Sequence, residues 1–181
     1  MSIQHALLVS LLEKPSSGYE LANRFDRSIG YFWQATHQQI YRELGRMAER
    51  GWIVADNAAG GDKRQKKTYQ VLPAGREELI RWAQTPDPSP HGGRSLLVKL
   101  RAEAVIGPLG LDEQLREFMA QRQAQLDIYR AIERRDFSPE RMTPARRLQY
   151  MVLKRGITME EGWLEWAQEV LPLVSRTPPP A

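Results

Sequence analysis

Residues Gln34–Lys67, QATHQQIYRELGRMAERGWIVADNAAGGDKRQKK, decide the fold. Thr36 stands three residues before Gln39, the spacing of a capping box, in which two side chains satisfy amides that a helix start leaves unpaired. Ile40, Leu44 and Met47 then recur at i, i+4 and i+7, the buried stripe of an amphipathic helix. Gly51 follows Arg50 as the left-handed residue that ends such a helix. Trp52–Val54 and Thr68–Val71 are short β-prone runs around a Gly60–Gly61–Asp62 turn signal, and they predict a hairpin. Four of the five residues from Lys63 to Lys67 are cationic. A one-sided helix followed by a cationic hairpin is a means of gripping a duplex: the helix fits a major groove while the hairpin tip meets phosphates.

The flanking segments complete a winged helix over residues 1–84. Residues 2–14 read as a first helix, with Ile3, Ala6, Leu7, Val9, Leu11 and Leu12 apolar and Lys14–Pro15 as its stop. Ser17 and Glu20 again have capping-box spacing, which opens a second helix with Tyr19, Ala22 and Phe25 on one side. That helix ends near Ser28–Gly30, and the aromatic run Tyr31, Phe32, Trp33 is too concentrated to be left in water. Pro73 opens a fourth helix carrying Leu79, Ile80 and Trp82. The stretch TPDPSPHGG, residues 85–93, cannot sustain a helix and reads as a linker.

Beyond the linker the pattern is all helix, over about 95–105, 112–135 and 143–174, which makes residues 94–175 a second domain. Asp112 is placed to cap one helix, and Thr143–Pro144 puts a cap before a first-turn proline. In the last helix Val152, Gly156, Met159, Trp163, Trp166, Val170 and Leu173 alternate steps of four and three, a heptad seam that wants a partner. Leu115, Met119, Leu126 and Tyr129 form a matching stripe in the preceding helix. Two such helices carry more apolar face than a small domain buries alone, so a homodimer is the simplest solution. The fold class is therefore mainly α (α+β): a winged helix-turn-helix with a two-stranded wing, joined to an α-helical dimerisation domain.

Composition narrows the function. Lys and Arg exceed Asp and Glu by 26 to 22 in 181 residues, and the cations concentrate at the hairpin tip. A local cationic patch on a mildly basic chain suggests a polyanion at one site. There is no cysteine, which excludes disulfides and thiolate metal sites. His5, His37 and His91 fall in different elements without ligand spacing, so no metal is expected. Nucleophile elbows, phosphate-binding glycine loops and dinucleotide fingerprints do not occur, and neither an enzyme nor a cofactor is expected. The apolar N-terminal run is too short to span a bilayer, so the expectation is a cytoplasmic protein with no membrane partner.

Double-stranded DNA is the expected partner. Lys63, Arg64, Lys66 and Lys67 would meet phosphate and carry no sequence information. His37, Gln38, Gln39, Tyr41 and Arg42 occupy the polar side of the third helix, where Gln can pair with adenine and Arg with guanine or phosphate. Trp163 and Trp166 read first as core, and second as a platform for a flat small-molecule effector. The rival readings are a winged-helix module that binds protein, and a ligand-binding helical dimer with residual DNA binding.

The chain resembles the PadR-like transcriptional regulators. The resemblance rests on Ser17-Gly18-Tyr19-Glu20-Leu21, on Gln39-Ile40-Tyr41-Arg42-Glu43-Leu44 continuing to Glu49-Arg50-Gly51-Trp52, and on Lys67-Thr68-Tyr69 leading into Ala74-Gly75-Arg76-Glu77-Glu78-Leu79. Leu164-Glu165-Trp166 looks like the helical dimerisation domain of the longer members. The resemblance implies a homodimeric DNA-binding protein, commonly a repressor, with Tyr19, Gln39, Tyr41, Arg42 and the wing cations near DNA; Ser17 and Thr36, at the starts of the second and third helices, are counted in the same DNA-binding set. Two positions depart from the family pattern: Gln38, where members often have glycine, and Leu72, where many have a threonine cap worth about 1 kcal/mol.

Overall fold

A computed structural model describes residues 3–26, 35–56, 67–87, 92–137 and 142–175. In chain order they form α1 (Ile3–Glu13), β1 (Ser16–Ser17), α2 (Gly18–Asp26), α3 (His37–Glu49), β2 (Ile53–Asp56), β3 (Thr68–Val71), α4 (Pro73–Gln84), α5 (Gly92–Ile106), α6 (Asp112–Asp136) and α7 (Pro144–Ser175). The aromatic run Tyr31–Trp33, His91 and the hairpin tip with Lys63, Arg64 and Lys66 lie outside the described residues. No helix among the described residues is long and apolar enough to cross a membrane.

The chain divides into two compact units, one running to Leu109 and the other starting at Gly110. This differs from a division at residues 85–93. Helix α5 packs against α1 and α4, buries Leu96, Val98 and Ala102, and ties back through an ion pair from Arg101 Nη2 to Glu13 Oε2 at 2.6 Å. Its buried Lys99 donates from Nζ to the Thr85 carbonyl, at the negative end of α4. Proline and glycine report where a helix stops. They do not report whether the next one folds back.

Helix α1 is the hub of the first unit, packing against α2, α3, α4, α5 and β3. Residues 4–11 are therefore all buried, Gln4, His5 and Ser10 included. The small sheet has the order β1-β3-β2, both pairs antiparallel: the expected two-stranded wing, β2 and β3, gains a third strand on the outer edge of β3. The added strand is two residues long, pairing Ser16 with Tyr69 and Ser17 with Thr68. Gly51 ends α3 at φ +68°, and the Trp52 amide donates to the Met47 carbonyl at 2.9 Å. The Trp52 carbonyl in turn accepts from the Leu72 amide at 2.9 Å. Leu72 stands at the N-cap of α4 without a side-chain cap bond, as its departure from threonine implies.

In the second unit α6 and α7 form an antiparallel pair. Contacts run from Glu133 with Tyr150, through Arg122 with Glu160, to Phe118 with Trp166. The stripe of α7 buried within one chain is Ile157, Glu160, Leu164, Ala167 and Val174. It lies beside the seam read from the sequence, whose members divide. Gly156 lies against the Tyr129 ring, and Trp163 and Trp166 pack edge-on to Phe118. Val152 (76% exposed), Met159 (42%) and Leu173 (66%) stand outside. Leu115 is fully buried within one chain, so it is removed from the dimerisation set. Asp112 is not the cap of α6: Leu111 holds that position, and Asp112 pairs with Arg116 one turn on at 2.7 Å.

Two outcomes are expected. A Cβ at Gly75 would lie 2.3 Å from the Trp52 carbonyl oxygen, a backbone atom that is already hydrogen-bonded. Gly75→Ala should therefore lower stability by about 1–3 kcal/mol, read from urea unfolding. The second concerns acid. The His5 ring stacks on Trp82 at 4.4 Å, and its Nε2 sits 3.1 Å from Glu78 Oε1. Burial pushes the His5 pKa below its ordinary 6.5, against the pull of Glu78. Glu78 itself is held below the usual carboxylate range, mainly by its hydrogen bonds from Arg81. Below pH 6.5 the unfolded chain takes up a proton at residue 5 that the folded chain resists, so stability falls as pH falls. The melting temperature should drop between pH 7 and pH 5, and His5→Phe, which keeps a ring on Trp82, should flatten that drop.

Candidate nucleic-acid interface

The candidate interface comprises α3, the start of α2 and the wing. Thr36 Oγ1 accepts from the Gln39 amide at 3.2 Å, and the Thr36 amide donates to Gln39 Oε1 at 2.9 Å. This closed capping box fixes the first turn of α3, and it also corrects a role. Bidentate pairing with adenine needs both carboxamide atoms, and the oxygen of Gln39 is already used. Among the two glutamines, Gln38 is the one whose side chain is left for reading. His37, Gln38 and Arg42 are all exposed.

The buried side of α3 holds Ile40, Leu44 and Met47, as the periodicity requires, and one residue that it did not reveal. Glu43 is buried. Its Oε2 accepts from Gln4 Nε2 at 2.8 Å, and its Oε1 pairs with Arg46 at 2.7 Å and Arg42 at 3.5 Å. Gln4 Oε1 accepts from Arg50 Nη1 at 3.0 Å, and the Arg50 guanidinium lies 5.0 Å from the centre of the Trp52 ring. A buried carboxylate is tolerated only when it is paired in this way. The network sets the rotation of α3 about its own axis, which turns Gln38 and Arg42 outward.

The start of α2 is fixed as its spacing predicts. Ser17 Oγ accepts from the Glu20 amide at 3.3 Å, and the Glu20 carboxylate accepts from the Ser17 amide at 3.1 Å and the Ser17 hydroxyl at 2.9 Å. Ser17 is itself buried, so it is corrected from a surface contact to a residue that holds the helix start. Tyr19 does not share the buried side of Ala22 and Phe25; it is 63% exposed. A Cβ on Gly18 would come within 2.5 Å of Tyr41 Cε1, so the Tyr41 ring lies across the first residue of α2. Tyr19 and Tyr41 thus stand at the junction of α2 and α3.

Strand β3 pairs with Ser16 and Ser17, immediately before that junction, and on its other edge with β2 from Ile53↔Val71 to Asp56↔Thr68. Lys67 is exposed next to the last pair. Helix, helix start and wing are thereby joined through Ser16–Gly18. No group of His, Cys, Asp or Glu suited to a metal ion occurs among the described residues. Gly18, Glu43 and Gly45 escaped sequence reasoning. Gly45 is exposed in the middle of α3, two turns beyond Gln38 and about one beyond Arg42, and a Cβ there would meet nothing within 4 Å. Glycine at such a place costs a helix about 1 kcal/mol relative to alanine.

These features define a winged-helix nucleic-acid-binding unit joined to a helical second unit. Residues 7–81 match the PadR-like family of transcriptional regulators, and residues 94–175 match the C-terminal domain described as virulence activator alpha. A probable transcriptional regulator of Mycobacterium tuberculosis is 43% identical, over 94% of this chain and 96% of its own length. The negative transcriptional regulator PadR of Bacillus subtilis is 26% identical, over 96% of this chain and 98% of its own length. A crystal structure of B. subtilis PadR in complex with operator DNA aligns over 95% of this chain and 98% of that one, with 22% identity and a TM-score of 0.45. The chain belongs to the PadR-like family of transcriptional regulators. It is a DNA-binding regulator, not an enzyme.

The Tyr41–Gly18 contact gives a test. Gly18→Ala should displace the Tyr41 ring, which can rotate, and so change stability by less than about 1 kcal/mol. Affinity for a specific DNA fragment, measured by fluorescence anisotropy, should nevertheless fall several-fold.

Proposed function

We propose that this regulator is a cytoplasmic repressor that binds a pseudo-palindromic operator as a homodimer. Helix α3 enters the major groove, with Gln38 and Arg42 reading base edges and His37 alongside. The phenols of Tyr19 and Tyr41 meet the backbone, and Lys63, Arg64, Lys66 and Lys67 of the wing contact phosphate. The observation that carries this reading is the joining of α3, the α2 start and the wing into one exposed polar surface through the Tyr41–Gly18 contact and the β1–β3 pairing. The bare backbone at Gly45 supports close approach to the duplex on the same face. Repression is supported by the negative regulator of B. subtilis among the relatives. Dimerisation is supported by the exposed apolar residues Leu148, Met151, Val152, Met159 and Leu173 on α7. With Leu115 removed, the proposed dimerisation set keeps Met119, Leu126, Tyr129, Val152, Met159, Trp163, Trp166, Val170 and Leu173.

A small-molecule effector is the secondary reading. Phe118, Trp163 and Trp166 pack edge to face on one another, with the Arg122 guanidinium 5.3 Å from the centre of the Phe118 ring. That arrangement supports a core role first, since the rings already occupy each other's faces and edges.

Footprinting on DNA upstream of the regulator's own gene tests the main reading. Two protected half-sites about one helical turn apart, surviving excess competitor DNA, are the expected result. Binding that competitor abolishes at every salt concentration would favour a protein-interaction module. Alanine at Arg64, Lys66 and Lys67 together should flatten the logarithmic salt dependence by about 0.9 per lost phosphate contact. An unchanged slope would remove the wing from the interface.

A further inference from the structure

One carboxylate of α3 has more partners than its burial requires. Glu43 is buried, and each of its oxygens already accepts a short hydrogen bond, Oε2 from Gln4 Nε2 at 2.8 Å and Oε1 from Arg46 Nη1 at 2.7 Å. Arg42 is a third partner, with its Nε 3.5 Å from the same Oε1. The Arg42 side chain is 60% exposed, and an ion pair so open to water contributes little to stability. The consequence of this contact therefore falls on Arg42.

A guanidinium is a rigid planar fork, so holding one nitrogen fixes where the others point. With Nε drawn to Glu43, the Nη1–Nη2 end of Arg42 is left over, and no other side-chain contact engages it among the described residues. Guanine presents O6 and N7 as a pair of acceptors in the major groove, and the end of an arginine meets them with two bonds. The place of Arg42 on the helix agrees. Residues 38, 42, 45 and 49 follow steps of four, three and four along the side away from the buried Ile40, Leu44 and Met47. Arg42 thus stands on the outermost line of α3, next to the open space at Gly45.

Without Glu43 that end would point elsewhere. A loose guanidinium beside a duplex is drawn to phosphate, which carries no sequence information. Arg46 stands one turn on, and like charges at that spacing repel. Glu43 removes both tendencies at once, since one oxygen holds Arg46 and Arg42 together.

We infer that Glu43 is a specificity-determining positioning residue, which holds Arg42 by Nε and presents its Nη1–Nη2 end to a guanine in each half-site. Glu43 itself touches no base. The inference rests on the reading above in which Arg42 meets base edges, and it adds which base is read and which residue aims the reader.

Selection of binding sites from a randomised duplex pool by the full chain tests it. The wild type should select a guanine at one fixed position of the half-site, and Arg42→Ala should erase the preference there and keep the others. Glu43→Gln removes the charge and can keep the Gln4 contact. It should lower the ratio of affinities for guanine over adenine at that position by about fivefold or more, read by fluorescence anisotropy on two otherwise identical duplexes. A merely structural role would weaken both duplexes alike and leave the ratio unchanged, and any unfolded fraction cancels from it. In the Arg42→Ala background, Glu43→Gln should change the ratio no further. Should Glu43→Gln fail to fold, Glu43→Asp, which keeps the charge but withdraws it by one carbon, should lower the ratio in the same way. An Arg42→Ala pool identical to the wild-type pool overturns base reading by Arg42, and this inference with it. A position erased by Arg42→Ala that held a base other than guanine, or a ratio that neither Glu43 variant moves, overturns the aiming role and leaves base reading by Arg42 standing.

Discussion

Burial of the Glu43 carboxylate is the constraint on which the rest of the DNA-binding unit depends. A charge withdrawn from water needs partners, and here these come from α1 and from α3 itself: Gln4 on one oxygen, Arg46 and Arg42 on the other. Gln4 passes the connection to Arg50, whose guanidinium rests on Trp52 at the base of the wing. An apolar stripe alone would hold α3 against α1 while leaving its rotation loosely defined, since Ile40, Leu44 and Met47 can slide over other apolar groups. Hydrogen bonds to a buried carboxylate have direction. They select one rotation, and that rotation decides which side chains face outward.

Two close approaches extend this order to neighbouring elements. At Gly75 the first turn of α4 comes so near the Trp52 carbonyl that no Cβ fits. The Trp52 backbone is thus gripped by the end of α3 on one side and by Leu72 and α4 on the other. At Gly18 the Tyr41 ring lies flush with the start of α2, and the two residues before it pair with β3. Wing, α2 and α3 therefore form one surface held at several points, suited to a rigid partner such as a duplex. His5, stacked on Trp82 and bonded to Glu78, fastens α1 to α4 behind that surface.

Much of the fold was legible because it is written in local periodicity and capping chemistry. The boxes at Ser17–Glu20 and Thr36–Gln39, the stripe of Ile40, Leu44 and Met47, and the left-handed Gly51 each follow from neighbours within a few residues. The exposure of Gln38 and Arg42 was legible in the same way, since both fall off the buried stripe of α3. Ser17 and Gln39 were identified as polar residues at helix starts, yet their polar atoms are consumed by the caps. A sequence gives a residue's type; whether its hydrogen-bonding groups remain available depends on what reaches them. The two-residue strand at Ser16–Ser17 carries no periodicity at all and exists only through its distant partner β3.

The second unit divides along the same line. Its long helices, their proline-marked breaks and the amphipathic character of α7 were set by the sequence alone, since 3.6-residue periodicity survives without knowledge of neighbours. Which stripe meets α6 and which stays outside was a tertiary decision, because two heptad stripes run side by side on α7 and both satisfy the spacing. Packing chose Ile157, Glu160, Leu164, Ala167 and Val174, and it buried Leu115 within one chain. It also carried α5 across a proline-rich linker onto α1 and α4. Local chemistry determines where elements begin and end; only the competition among apolar faces for burial determines which of them touch.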